Sequence, residues 1–164
     1  LHAFGTYNIG INRSGSCPEH FDEGHPLEKL DAYLSDADIV IGALPRTPYT
    51  VGLLDYRRMK RMKEDALLVN VGRGTMIVTE DLEKLLEEGH FSGVILDVVN
   101  PEPLPLDSLL WSCDRVLLTP HISGIGFGHE EATESAIWDI CTENLHRYAQ
   151  GLPLTHVVDV TAGY

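Results

Sequence analysis

An arginine between two glycines, a glutamate between two prolines and a histidine after a proline stand out in this sequence: Arg73, Glu102 and His121. A guanidinium can pair a carboxylate through two hydrogen bonds, an imidazole can carry a proton near neutral pH, and a carboxylate beside that imidazole steadies its charged form. Taken singly, each has an ordinary explanation: a surface-loop Arg, a solvated Glu, a structural His. Taken together they form a coherent set for a 2-keto or 2-hydroxy acid. The guanidinium would hold the acid's carboxylate, the imidazole would move the hydroxyl proton, and the second carboxylate would support the imidazolium.

Other chemistries have weaker footing. Ser123 lies near His121, but the surrounding residues are not a G-x-S-x-G elbow, and two side chains so spaced at a strand end point different ways. The eight histidines contain no H-E-x-x-H pair, so no metal site is expected. The run Gly124-Ile125-Gly126-Phe127-Gly128 looks like part of a dinucleotide fingerprint, yet no second strand with a terminal acid follows it. Glycines that let the chain turn closely over a bound ligand are the better reading there.

The elements that must position these residues alternate along the chain. Short β-rich runs at residues 7–12, 38–44, 66–71, 93–99 and 115–119 are separated by turns and helix-like or irregular segments, the signature of parallel βαβ units. Four of these runs are apolar continuously, as in Ile39-Val40-Ile41 and Val116-Leu117-Leu118, which predicts core strands covered by helices on both faces. A helix is expected from Thr79, as cap, to a stop at Gly89, with Leu82, Leu85 and Leu86 on one face. Others are expected over 26–34 and, longest, over 129–150 with an apolar stripe that includes Ile137, Ile140 and Leu145. In a parallel sheet, ligands bind beyond the carboxyl ends of the strands, and Arg73, Glu102 and His121 each follow such an end.

Composition narrows the class. The chain has 164 residues, 43% hydrophobic, and a formal net charge of −13, which fits one α/β-sized domain and excludes a disordered acidic tail. The one basic run, Arg57, Arg58, Lys60, Arg61 and Lys63, reads as a solvated helix face, and no nucleic-acid partner is expected. Cys17, Cys113 and Cys141 lie far apart and suggest neither disulfides nor zinc, so a reducing compartment is the default. No apolar run approaches the roughly 18 residues of a membrane span, and the first residues lack the pattern of a leader, so the expected location is cytoplasmic with no membrane partner.

Four ordered segments resemble the D-isomer-specific 2-hydroxyacid dehydrogenases: 44–53, 62–74, 96–105 and 119–124, including Leu44-Pro45-Arg46-Thr47-Pro48, Val71-Gly72-Arg73-Gly74, Pro101-Glu102-Pro103 and Pro120-His121-Ile122-Ser123-Gly124. The resemblance covers nearly the whole chain. It implies a doubly wound parallel, Rossmann-type sheet, a small 2-keto or 2-hydroxy acid as substrate, and NAD or NADP as cofactor. It makes Arg73 the substrate clasp, His121 the general acid/base and Glu102 its partner. It places Leu44, Pro45 and Thr50 on the cofactor side, with Leu44 and Pro45 against the ribose. Val71 and Gly72 would lie near the nicotinamide, Asp97 on its carboxamide and Gly124 close to the ring.

Two departures follow. Where NAD-preferring members carry an acid after the first strand, this chain has Asn12-Arg13-Ser14, so Asn12 and Arg13 slightly favour NADP. The chain also begins near the end of the first helix, and the family's first strand and Gly-rich phosphate turn are not in it. In the strand order 3-2-1-4-5-6 that strand is central, so the runs 7–12 and 38–44 would lack a shared neighbour. Residues 1–150 are therefore expected to be a partial dinucleotide-binding domain and 151–164 a segment returning toward a substrate domain, either within a longer polypeptide or with something else filling the central gap. Similar enzymes form homodimers; a related alternative is a non-catalytic nucleotide-sensing corepressor module.

Overall fold

A computed structural model describes residues 1–124 and 130–161. Six short strands appear: β1 (Ile9–Asn12), β2 (Glu23–Pro26), β3 (Ile39–Gly42), β4 (Leu67–Asn70), β5 (Gly93–Leu96) and β6 (Val116–Leu118). Among the described residues the helices are α1 (Leu30–Tyr33), α2 (Tyr56–Met59), α3 (Thr79–Glu87) and α4 (Glu131–Ala149). Every strand pairing is parallel, and the strands form two sheets, β1-β2 and β3-β4-β5-β6. The runs 7–12 and 38–44 do not share a sheet.

Register explains which residues form the core. Val40, Leu68, Val94 and Val116 lie in one cross-strand row and Ile41, Val69, Ile95 and Leu117 in the next. Successive strand residues point to opposite faces, so these rows face opposite ways. Leu68 and Val94 are fully buried in one cluster with Met59, Leu85, Leu86 and Phe91. The opposite row is only partly covered: Ile41 is 44% exposed and Leu117 56%, with Val69 and Ile95 half-buried between them. This corrects the expectation of helices on both faces, because no described helix packs there and α4 buries none of its residues.

Other boundaries shift for local reasons. Residues 23–26, where no strand is expected ahead of the helix over 26–34, form β2 against β1 in register Ile9↔Glu23 to Asn12↔Pro26, and the helix starts only at Leu30 after one 3₁₀ turn. Val78, not Thr79, caps α3, since the Thr79 hydroxyl donates instead to the Asn100 carbonyl at 2.5 Å. Gly89 ends that helix with a φ of 82°, as expected. The basic run is not merely solvated: Arg58 reaches Asp31 at 2.8 Å, Lys60 reaches Glu88 at 3.1 Å and Lys63 reaches Asp38 at 2.6 Å. The expected helix start at residue 129, and the glycine-rich stretch after Gly124, lie outside the described residues. Among the described residues no helix is long and apolar enough to cross a membrane.

Candidate active site

Because β3 to β6 are parallel neighbours, the loops after them leave from one edge of the sheet. β4 ends with the fully buried Asn70, which sets the loop that follows. Its Oδ1 accepts from the Gly72 N–H at 3.1 Å and its Nδ2 donates to the Arg73 carbonyl at 3.1 Å, fixing the turn that presents Arg73. The flanking glycines have a steric reason. A Cβ on Gly72 would stand 2.8 Å from the Leu44 backbone, and one on Gly74 would stand 1.9 Å from the Val99 carbonyl oxygen. The Arg73 turn is thus pressed between the loops after β3 and β5, and only glycine permits both approaches. The Arg73 guanidinium donates to the Gly72 carbonyl at 2.8 Å and has no carboxylate partner among the described residues.

The loop after β6 is held by Asp97, at the end of β5. Asp97 is 4% exposed, and its carboxylate accepts from the Thr119 hydroxyl at 2.5 Å and from the Ile122 and Ser123 N–H groups at 2.9 Å each. Its carbonyl accepts from the His121 N–H at 2.9 Å. Burial alone would raise the pKa of this carboxyl, but the hydrogen bonds from Thr119, Ser123 and Ile122 outweigh it and hold the group well below the usual carboxylate range. His121 itself sits at φ 57°, in the left-handed region that costs a non-glycine residue energy. In that conformation its Nδ1 lies 3.0 Å from Glu102 Oε1, with both side chains about half exposed. A carboxylate only accepts, so Nδ1 carries the hydrogen of this bond and Nε2 is left to face solvent or a ligand.

Arg73 and Glu102 line one cleft of about 360 Å³, with Arg46, Thr75 and Asn100 also on its wall. The three residues singled out in the sequence therefore meet at one rim: two share the cleft, and the third is hydrogen-bonded to one of them. The expected cofactor residues divide. Pro45, Val71 and Gly124 are exposed and Leu44 is half-buried, and a Cβ on Gly124 would meet nothing within 4 Å. Gly72 is buried beside them. Thr50 is 7% exposed and its hydroxyl donates to the Pro45 carbonyl at 2.6 Å, so it braces the β3 loop from beneath. Asp97 likewise has its carboxylate committed to the His121 loop. Asn12 lies on the other sheet, where its amide closes its own turn onto the Gly15 N–H and the Ser16 carbonyl; Arg13 beside it is exposed.

Sequence reasoning passed over Asn70, although a polar residue ending an apolar strand was a visible signal. Arg46 is visible in the sequence only as a member of the Leu44-Pro45-Arg46-Thr47-Pro48 segment. Among the described residues no group of three or more His, Cys, Asp or Glu side chains is placed to hold a metal ion.

A parallel α/β sheet with charged and apolar loops gathered at its carboxyl edge defines a dinucleotide-binding type of domain. The family model described as D-isomer specific 2-hydroxyacid dehydrogenase, NAD binding domain, matches residues 1–123, and the chain belongs to that family. The chain is 34% identical over 137 residues to glyoxylate/hydroxypyruvate reductase A of Escherichia fergusonii, covering 84% of this chain and 42% of that one. A D-isomer specific 2-hydroxyacid dehydrogenase from Xanthobacter autotrophicus, solved with NADPH and MES, superimposes with a TM-score of 0.82 at 35% identity. That match covers 95% of this chain and 62% of the other. An NADPH-dependent glyoxylate/hydroxypyruvate reductase from Sinorhizobium meliloti, solved with NADP and sulfate, gives 0.81 at 32% identity, over 99% and 51%. The chain thus spans about half the length of such relatives, and its cofactor is of the NAD(P) type.

Proposed function

We propose that the whole protein is an NAD(P)-dependent oxidoreductase interconverting a D-2-hydroxy acid and its 2-keto partner. The observation that carries this reading is the His121–Glu102 hydrogen bond of 3.0 Å at the rim of the cleft that Arg73 lines. When bound, the nicotinamide supplies or accepts the hydride. Leu44, Pro45, Val71, Gly72 and Gly124 offer the surface for it, braced by Thr50 and Asp97. Arg73 clasps the carboxylate of the acid and orients its neighbouring carbonyl. In reduction, His121 Nε2 delivers the proton to the carbonyl oxygen as it becomes the hydroxyl; in oxidation it removes that proton. Glu102 holds the ring through Nδ1, which keeps Nε2 free to exchange the proton with the substrate oxygen.

Coenzyme choice follows from the loop after β1. No carboxylate ends that strand, Asn12 is committed to its own turn, and the exposed Arg13 suits a 2′-phosphate, so NADPH is preferred. The relatives solved with NADPH and NADP support the same choice. Residues 1–150 act in this reading as the partial dinucleotide-binding domain and 151–164 lead toward a substrate domain. The setting is a cytoplasmic homodimer with no nucleic-acid or membrane partner.

The test is turnover by the whole protein of glyoxylate, hydroxypyruvate and pyruvate with NADH or NADPH, followed by absorbance. His121→Ala is expected to lower kcat by roughly 10²–10⁴-fold. Unchanged turnover in that variant would refute the assigned role, and a twofold or smaller preference for NADPH would remove the coenzyme assignment.

A further inference from the structure

We propose that Arg46 is a second anion-binding residue of the cleft, and that the 2-keto acid taken there carries a second anionic group, carboxylate or phosphate, at its far end. This rests on the reading of Arg73 as the clasp for the first carboxylate.

A simple 2-keto acid needs one guanidinium. The cleft has two, delivered from different strand ends: Arg73 after β4 and Arg46 after β3. The one carboxylate on its wall, Glu102, is occupied with His121 at 3.0 Å. The cleft is therefore a cationic site in a chain of formal charge −13.

Elsewhere the basic side chains Arg58, Lys60 and Lys63 each lie on a carboxylate at 2.6–3.1 Å. Arg46 makes no hydrogen bond or ion pair among the described residues. Two arginines lining one cleft, against a single carboxylate already hydrogen-bonded to His121, leave a net positive wall, and a dianion offers a partner to each guanidinium.

The residue is also firmly presented. Thr47 and Thr50, both buried, lock the turn: the Thr47 N–H donates to the Thr50 hydroxyl at 2.8 Å, and that hydroxyl donates to the Pro45 carbonyl at 2.6 Å. Arg46 stands between these anchors. Thr75, on the same wall, has a buried hydroxyl without a hydrogen-bond partner. The cleft volume of about 360 Å³ lies within the range of small-molecule sites.

The experiment compares matched substrate pairs in the whole protein: oxaloacetate with 2-oxobutyrate, and phosphohydroxypyruvate with hydroxypyruvate. The anionic member of at least one pair is expected to have a kcat/KM about 10- to 100-fold higher, the range of a charge-assisted hydrogen bond. Which pair shows it distinguishes carboxylate from phosphate. Arg46→Leu should abolish the ratio, and Arg46→Lys should keep part of it. A ratio that survives Arg46→Leu overturns the proposal, as does an effect of that variant confined to the KM for NADPH.

Calorimetric binding of succinate against butyrate gives a readout independent of turnover. If no 2-keto acid reacts but succinate binds more tightly and loses that advantage in Arg46→Leu, the anion site stands and the oxidoreductase reading fails. Equal binding of the two acids by the parent overturns the anion site itself.

Discussion

Asp97 joins the chemistry of the site to its stability. Its carboxylate ties down three donors from the loop that carries His121, and its own backbone carbonyl holds the His121 N–H. Asparagine is nearly isosteric but offers only one accepting oxygen, so Asp97→Asn strands at least one buried donor. It is expected to cost about 1–3 kcal/mol at pH 7, measured by urea unfolding. The pH dependence has a definite sign. The folded pKa of Asp97 is depressed, so its contribution is complete above the unfolded value near 4 and is lost as pH falls through the folded one. The gap between parent and variant should therefore narrow below about pH 4; an undiminished gap at pH 3 would assign it to packing instead. Arg73, Glu102 and His121 were legible in the sequence because each follows an apolar strand run. The hub was not, since its donors lie 22 to 26 residues downstream and meet it only in space.

The four-stranded sheet has one packed and one partly open face, and that asymmetry predicts unequal responses to substitution. Leu85 on α3 is fully buried in the cluster with Leu68 and Val94. Leu85→Ala should destabilise the 164-residue chain by about 2–5 kcal/mol. Ile41→Ser, on the partly covered row, should change stability by no more than about 0.5 kcal/mol, although both replace a large apolar residue within a predicted core element. Equal losses in urea melts would show that this row is fully covered. Continuous apolar runs located β3 to β6 well, but a run of Ile and Val looks the same whether one face or both are covered. β2 escaped notice because Glu23-Gly24-His25-Pro26 contains no β-branched residue and no apolar run, and it is a strand only by pairing with β1.

Over the full chain, the two sheets are linked through α1. Leu34 is buried in the main core, Leu27 and Leu30 pack against it, and Asp31 receives the Arg58 side chain at 2.8 Å, with Arg57 at 3.9 Å. The hydrogen bond from Arg58 lowers the Asp31 pKa against the opposing effect of burial, with Arg57 and Arg61 adding to it. Asp31→Asn should then lower stability by about 1 kcal/mol at pH 7. Because the folded pKa is the depressed one, that difference should fade as the solution is taken from pH 5 to pH 3; thermal melts of both proteins across that interval provide the check. Residue types and strand periodicity were enough to set the α/β class, the loops where chemistry gathers and the family to which the chain belongs. These features are local, since a strand, a turn glycine or a motif is written in consecutive residues. The covered face of the sheet, the clamp on the His121 loop and the meeting of Arg46 with Arg73 in one cleft came only from folding, because each depends on segments brought together across tens of residues by parallel pairing.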